Sequence, residues 1–152
     1  MLDSELIQRK VNLIREDLVK LEDFKRFSFE ELAKDWLRWN ALEHIFMKII
    51  GRGIDINEHL IAELAGPRTK APRDYRETFL GLVELKVLPQ EFAQEIAKSA
   101  GFRNAIVHEY NEIDKNVVYQ TVGEAIKQYT EYCQYILIFL NSFSPNTQEK
   151  RL

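Results

Sequence analysis

The sequence predicts an all-α protein, an antiparallel bundle of about five helices. Three observations predict it. Apolar residues recur at steps of three and four along nearly the whole chain. No stretch alternates with the two-residue period of a strand over a useful length. The six glycines and four prolines are few and clustered, so they leave long uninterrupted segments between them.

The first helix is a stripe of Ile7, Val11, Ile14, Leu18 and Leu21, with Asp3 or Ser4 as its cap. Ser28 opens a second helix with Glu31 at the capping-box spacing, and Phe27 and Leu32 stand where a hydrophobic staple packs. Phe29, Leu32, Trp36, Leu37, Trp39, Phe46, Met47, Ile49 and Ile50 go most of the way round this helix, which marks a central helix or a subunit interface. Gly51 and Gly53 are weak stop signals, but Ile54, Ile61 and Leu64 stay in phase with Ile50, so the helix is expected to run on to Gly66-Pro67. A loop over residues 66–72 leads to a third, shorter helix carrying Tyr75, Phe79, Leu82 and Val83. Pro89, at a favoured first helical position, starts a fourth, with Phe92, Ile96 and Ala100 inward. Asp114 caps the last helix, whose stripe is Val118, Val122, Ile126, Tyr129, Cys133, Ile136 and Leu140, and Asn141, Ser142 and Pro145 end it.

At 152 residues the chain has the size of one domain, expected over residues 1–144 with a loose tail at 145–152. With 30% charged and 45% hydrophobic residues it is too apolar for disorder and too charged for a membrane bundle. No apolar run approaches a transmembrane span, and the opening MLDSELIQRK lacks a secretory signal's apolar stretch. A cytosolic protein with no membrane association is expected. Cys133 is the only cysteine, which excludes an intramolecular disulfide and a Cys-rich zinc site. A formal net charge of -3 excludes a polycation that coats nucleic acid, though not a local basic site.

The chemistry concentrates in Gly101-Phe102-Arg103-Asn104-Ala105-Ile106-Val107-His108-Glu109-Tyr110. On a continuous helix, at about 100° per residue, Asn104 and His108 share a face, and so do Arg103 and Tyr110. Phe102, Ile106 and Val107 would supply the packing side. Arginine offers a permanent cation with a planar fork that fits phosphate. Histidine moves protons near neutral pH, and asparagine can orient either one. An Arg and a His beside a phosphodiester are a minimal metal-free site for RNA cleavage. The histidine would take the 2′-hydroxyl proton or protonate the leaving oxygen, while the arginine stabilises charge developing on phosphorus. Taken alone, Arg-x4-His is a weak signal and more often marks an arginine capping a helix end and a satisfied interface histidine, with Tyr110 as packing.

The rest of the sequence changes that balance. Arg-Asn-x3-His-x-Tyr resembles the signature of the HepT family within the HEPN superfamily. Asp55-Ile56-Asn57-Glu58-His59-Leu60-Ile61-Ala62, Tyr75-Arg76-Glu77-Thr78-Phe79 with Leu88-Pro89, and Ile113-Asp114 before Val118-Tyr119 are similar to further segments of that family. The similarity covers roughly residues 1–141. It implies an α-helical homodimer with facing Arg-x4-His motifs, acting as an RNA-cleaving toxin without a cofactor. The implied partner is an MntA-type nucleotidyltransferase antitoxin that transfers AMP to the motif tyrosine. Carried over by residue, Arg103 and His108 are catalytic, Asn104 assists, and Tyr110 is the modified hydroxyl. Against this stands a binding module that holds a nucleotide or phosphate, and serves as the transferase's substrate, without cutting RNA.

Other residues keep two readings. Asp55 and His59, four apart, form a surface pair, or Asp55 stands near the cleft and steadies Arg103. Arg68, Lys70, Arg73 and Arg76 are a solvated loop, or a contact to RNA phosphates or an acidic partner. His44 reads as structural, and the three histidines are too scattered for a metal site. Tyr129, Tyr132 and Tyr135 read as core and interface, and Cys133 as an inert buried thiol.

Overall fold

The computed structural model describes residues 1–67, 69–108 and 113–143. Among these are six α-helices and no strand: α1 (Ser4–Asp23), α2 (Phe29–Lys34), α3 (Trp36–Leu64), α4 (Tyr75–Glu84), α5 (Gln90–Val107) and α6 (Lys115–Ser142), with a 3-10 turn at Phe24–Arg26.

Local chemistry explains most boundaries. The Asp3 side chain accepts the Leu6 amide, Ser28 and Glu31 form the reciprocal capping box, and Asp114 accepts from Asn116. Pro89 is the N-cap of α5 rather than its first helical residue. The expected second helix is in fact two. Asp35 leaves the helical conformation, its amide closing α2 on the Leu32 carbonyl while its side chain accepts the Leu37 and Arg38 amides that open α3. An aspartate that satisfies both ends breaks the helix with no glycine or proline present.

Beyond that break α3 runs through Gly51 and Gly53 for 29 residues and is the centre of the bundle, packing against α1, α4 and α5. It is antiparallel to α1: Asp3 meets His59, Lys10 meets Asp55, and Asp17 meets Lys48 and Arg52. Against α6 it places Gly53 and Asn57 beside Tyr132. The core runs from Ile7, Ile14 and Leu21 through Leu42, Phe46 and Ile50 to Phe79, Ile96, Tyr129 and Ile136, all buried. Trp36 and Leu37 are not part of it: they are 70% and 63% exposed, so the apolar girdle read from the sequence is partly open to solvent. Residues of the tail from 144 onward lie outside the described set.

Candidate active site

Arg103, Asn104 and His108 come from the last turn of α5 and its end. The helix does not continue through the whole motif: Val107 is its last residue, and His108 is the C-cap, at φ -98° and ψ 68°, with its amide donating to the Asn104 carbonyl at 3.0 Å. The expectation of one continuous helix face from Arg103 to Tyr110 is therefore corrected at His108. At the cap the backbone leaves the helical conformation, so the four-residue spacing does not by itself stack His108 on Asn104. Both Asn104 and His108 are exposed. Tyr110 and Arg68 lie outside the described residues. The packing side of the motif is Phe102, edge-on to Phe46 at 5.1 Å, and the buried Ile106. Val107, expected with them, is 39% exposed.

Arg103 leans back into the bundle. A Cβ placed on Gly51 would stand 3.6 Å from its Nε and 3.9 Å from its Nη2. The guanidinium carbon is 5.7 Å from the centre of the Tyr75 ring, within cation–π range. Nε is buried without a hydrogen-bond partner, and among the described residues no carboxylate forms an ion pair with this side chain. Buried polar atoms are nearly always paired, so an unpartnered guanidinium N–H is informative.

Asp55 does not reach Arg103. It is exposed and pairs with Lys10 of α1 at 3.4 Å, while His59 accepts the Asp3 amide at 3.2 Å, so the expected Asp55–His59 pair is not made either. Of the basic residues before and on α4, Lys70, Arg73 and Arg76 are exposed. Arg73 is tied to Glu77, and Asp74 serves as the N-cap of α4. Lys70, Arg73 and Tyr75 border a groove of about 480 Å³ floored by Ile61, Ala62 and Ala65. Tyr75 thus stands between that groove and Arg103. The sequence places Tyr75 on the apolar stripe of its helix, yet it is 44% exposed. Its position at the first turn, beyond the reach of the core, is the signal that separates it from Phe79.

Burial pushes the hydroxyls of Tyr129 and Tyr132 well up from the usual phenol value and the Cys133 thiol up to about 11. These groups are core, as expected. Among the described residues no cluster of His, Cys, Asp and Glu is arranged to hold a metal ion, and no helix is long and apolar enough to cross a membrane.

The motif helix of this all-α bundle ends on Arg-Asn-x3-His, with Arg103 beside the central helix at Gly51. The family model described as ribonuclease HepT-like matches residues 14–136, and the chain belongs to this ribonuclease family. It is 30% identical over 141 residues to the tRNA nuclease HepT of Aphanizomenon flos-aquae, covering 91% of this chain and 92% of that one. A putative RNase of Archaeoglobus fulgidus is 30% identical over 115 residues, 76% of this chain and 84% of that one. In fold the chain resembles the tri-AMPylated Shewanella oneidensis HEPN toxin, solved in complex with its MNT antitoxin (TM-score 0.78, 18% identity, 90% of this chain and 99% of that one). It also resembles the cytosolic protein YutE of Bacillus subtilis (TM-score 0.76, 18% identity, 93% and 92% covered).

Proposed function

We propose that this chain is the toxin of a toxin–antitoxin pair, a homodimeric endoribonuclease that needs no metal and is silenced by AMP transfer to Tyr110. The observation that carries the reading is Arg103: a guanidinium beside Gly51 and the Tyr75 ring, its Nε buried and unpartnered, five residues before an exposed histidine in the segment that resembles the family's motif. In the proposed reaction the 2′-hydroxyl of one nucleotide attacks the adjacent phosphorus and the 5′-oxygen of the next nucleotide leaves, giving a 2′,3′-cyclic phosphate. His108 takes the 2′-hydroxyl proton or delivers one to the leaving oxygen. Arg103 neutralises the charge that grows on the non-bridging oxygens, and Asn104 orients the pair.

The homodimer is supported by apolar side chains left exposed: Trp36 and Leu37 at the start of α3, and Val107 at the end of the motif helix. The partner is a nucleotidyltransferase of the MntA type. The Tyr110 phenol would attack the α-phosphorus of ATP, pyrophosphate would leave, and the new phosphodiester would pair with Arg103 where an RNA phosphate must bind. Lys70, Arg73, Arg76 and Arg68 are proposed as contacts to RNA or partner.

The test is cleavage of a mixed tRNA pool by the purified protein and by His108→Ala. Cleavage lost in the variant supports the reading; a wild-type protein that binds RNA without cutting it favours the binding module. Sedimentation at micromolar concentration tests the dimer, and a clean monomer at about 18 kDa overturns it. Peptide mass mapping after incubation with the transferase and ATP tests Tyr110, and AMP found only on other tyrosines rejects it.

A further inference from the structure

Two features have no part in the reaction as described: the paired glycines of α3 and the exposed aromatic at the start of α4. We infer that Gly51 and Tyr75 are positioning residues that form a slot for the Arg103 guanidinium, and that the buried Tyr132–Asn57–Thr78 chain fixes the slot's width. The inference rests on Arg103 being the phosphate-binding cation and adds how the fold holds it in place.

Arginine has several rotatable bonds, and an unpaired guanidinium normally moves through solvent or finds a carboxylate. Here neither occurs. Its Nε is buried without a partner, the Tyr75 ring lies within cation–π range, and the space on the Gly51 side is only as wide as one added methyl would fill. Any side chain beyond alanine at position 51 would reach into the space at 3.6–3.9 Å that Nε and Nη2 approach. A ring face attracts the cation without consuming a hydrogen bond, so the remaining donors stay available for phosphate.

The slot is only as exact as the spacing between α3 and α4, and a buried polar chain ties these helices. The Tyr132 hydroxyl of α6 lies 2.6 Å from Asn57 Oδ1 and 3.0 Å from the Gly53 carbonyl. Asn57 Nδ2 donates to Thr78 Oγ1 at 3.2 Å, and Thr78 in turn donates to the Tyr75 carbonyl at 2.6 Å. The chain thus ends on the backbone of the residue whose ring faces Arg103. Gly53 makes the first link possible, because a Cβ there would stand 3.1 Å from Tyr129 and 3.7 Å from Tyr132. Buried polar chains of this kind specify one arrangement of the elements they join.

The experiment compares wild type, Tyr75→Ala, Tyr75→Phe, Gly51→Val and Arg103→Ala by two readouts. The first is the Nε–H signal of Arg103 in a proton–nitrogen correlation spectrum, which the Tyr75 ring current should displace. The second is kcat and apparent KM on a mixed tRNA pool. Tyr75→Ala and Gly51→Val should shift that signal and lower kcat by about ten- to a hundredfold with little change in KM, the scale of a misplaced catalytic group. Tyr75→Phe, which keeps the ring, should behave as wild type in both. An unmoved signal or full kcat in Tyr75→Ala overturns the slot, as does a Tyr75→Phe protein as impaired as Tyr75→Ala. Full activity in Arg103→Ala overturns the catalytic reading instead, and the spectrum still judges the slot on its own.

Discussion

Two arginines meet α3 at consecutive positions and in opposite states. Arg52 belongs to α3 and turns toward α1, where it ion-pairs with the buried Asp17 and reaches the Leu13 carbonyl at 3.5 Å. Lys48 and Lys20 approach the same carboxylate at 3.3 and 3.6 Å. Arg103 belongs to α5 and meets the same helix one residue earlier, at Gly51, with its Nε buried and unpartnered. Where α3 joins α1 the buried charge is saturated with partners, as a structural ion pair must be. Where α3 joins α5 the guanidinium lies over the Tyr75 ring with its Nε unpartnered, and among the described residues no carboxylate pairs with it. The difference separates charge that holds the bundle together from charge that the proposed reaction assigns to a ligand, and sites that break the local rule of satisfaction are where function is expected.

The largest effects come from breaking the α5 side. Arg103→Ala should lower the rate of RNA cleavage by about a hundred- to a thousandfold, the scale of removing one charge-stabilising donor from a transition state. Its melting temperature should stay at or above that of wild type, because no hydrogen bond at Nε is lost. His108→Ala should fall as far, and the double variant little further, because in the proposed reaction both residues act on one transition state. A melting temperature that drops sharply in Arg103→Ala would make the two arginines alike and remove the contrast.

Arg52→Ala tests the other side. It strips the closest cation from a carboxylate that is almost fully buried. Breaking a buried pair commonly costs 3 kcal/mol or more, but Lys48 and Lys20 remain, so a loss of about 2 kcal/mol is expected in denaturant titration. The cleavage rate per folded molecule should not change. A variant as stable as wild type but inactive would reverse the roles assigned to the two regions.

Tyr132→Phe is a smaller disturbance of the buried chain that joins the halves. Asn57 is fully buried and would lose the hydroxyl that lies against its Oδ1. An unsatisfied buried acceptor costs about 1–2 kcal/mol, and equilibrium unfolding should show that loss. No loss would mean that the Gly53–Asn57 end of the chain contributes nothing to the packing of α3 on α6.

What the sequence makes legible is local chemistry. The caps at Asp3, Ser28 and Asp114 depend on residues within one turn, and all three are observed. The apolar stripes of α1 and α6 are also legible, since a repeat of three and four has one geometric meaning. Asp35 is illegible as a break because Lys34-Asp35-Trp36 holds no glycine or proline, and Arg38 stands where a capping box would need Glu or Gln. Asp55 and His59 have the spacing of a pair, but partners from α1, distant in sequence, take both. The motif residues are visible by type and by family resemblance. The slot that holds Arg103 is not, because Tyr75 and Gly51 lie 28 and 52 residues before it and come together only through the packing of α4 and α3 on α5.

The finest test uses the two glycines, which are separated by one residue on α3 and face different neighbours. In a helix interior alanine is favoured over glycine by about 1 kcal/mol, so each Gly→Ala change starts with that gain. At position 51 the new methyl would meet Arg103 at 3.6 Å, an ordinary contact with the side of a flexible chain. Gly51→Ala should therefore stabilise the protein by up to about 1 kcal/mol and leave cleavage close to wild type. At position 53 the methyl would stand 3.1 Å from Tyr129 Cε1. That ring is buried, packs at 5.7 Å on Tyr132, and is held through its hydroxyl to Ser99 at 2.7 Å, so it has little room to yield. Overpacking a core site costs about 1–3 kcal/mol, which outweighs the helix gain. Gly53→Ala should melt below wild type and Gly51→Ala above it. Equal shifts in the same direction would mean that neither neighbour constrains the helix, and that the paired glycines reflect backbone preference rather than the two contacts that divide α3.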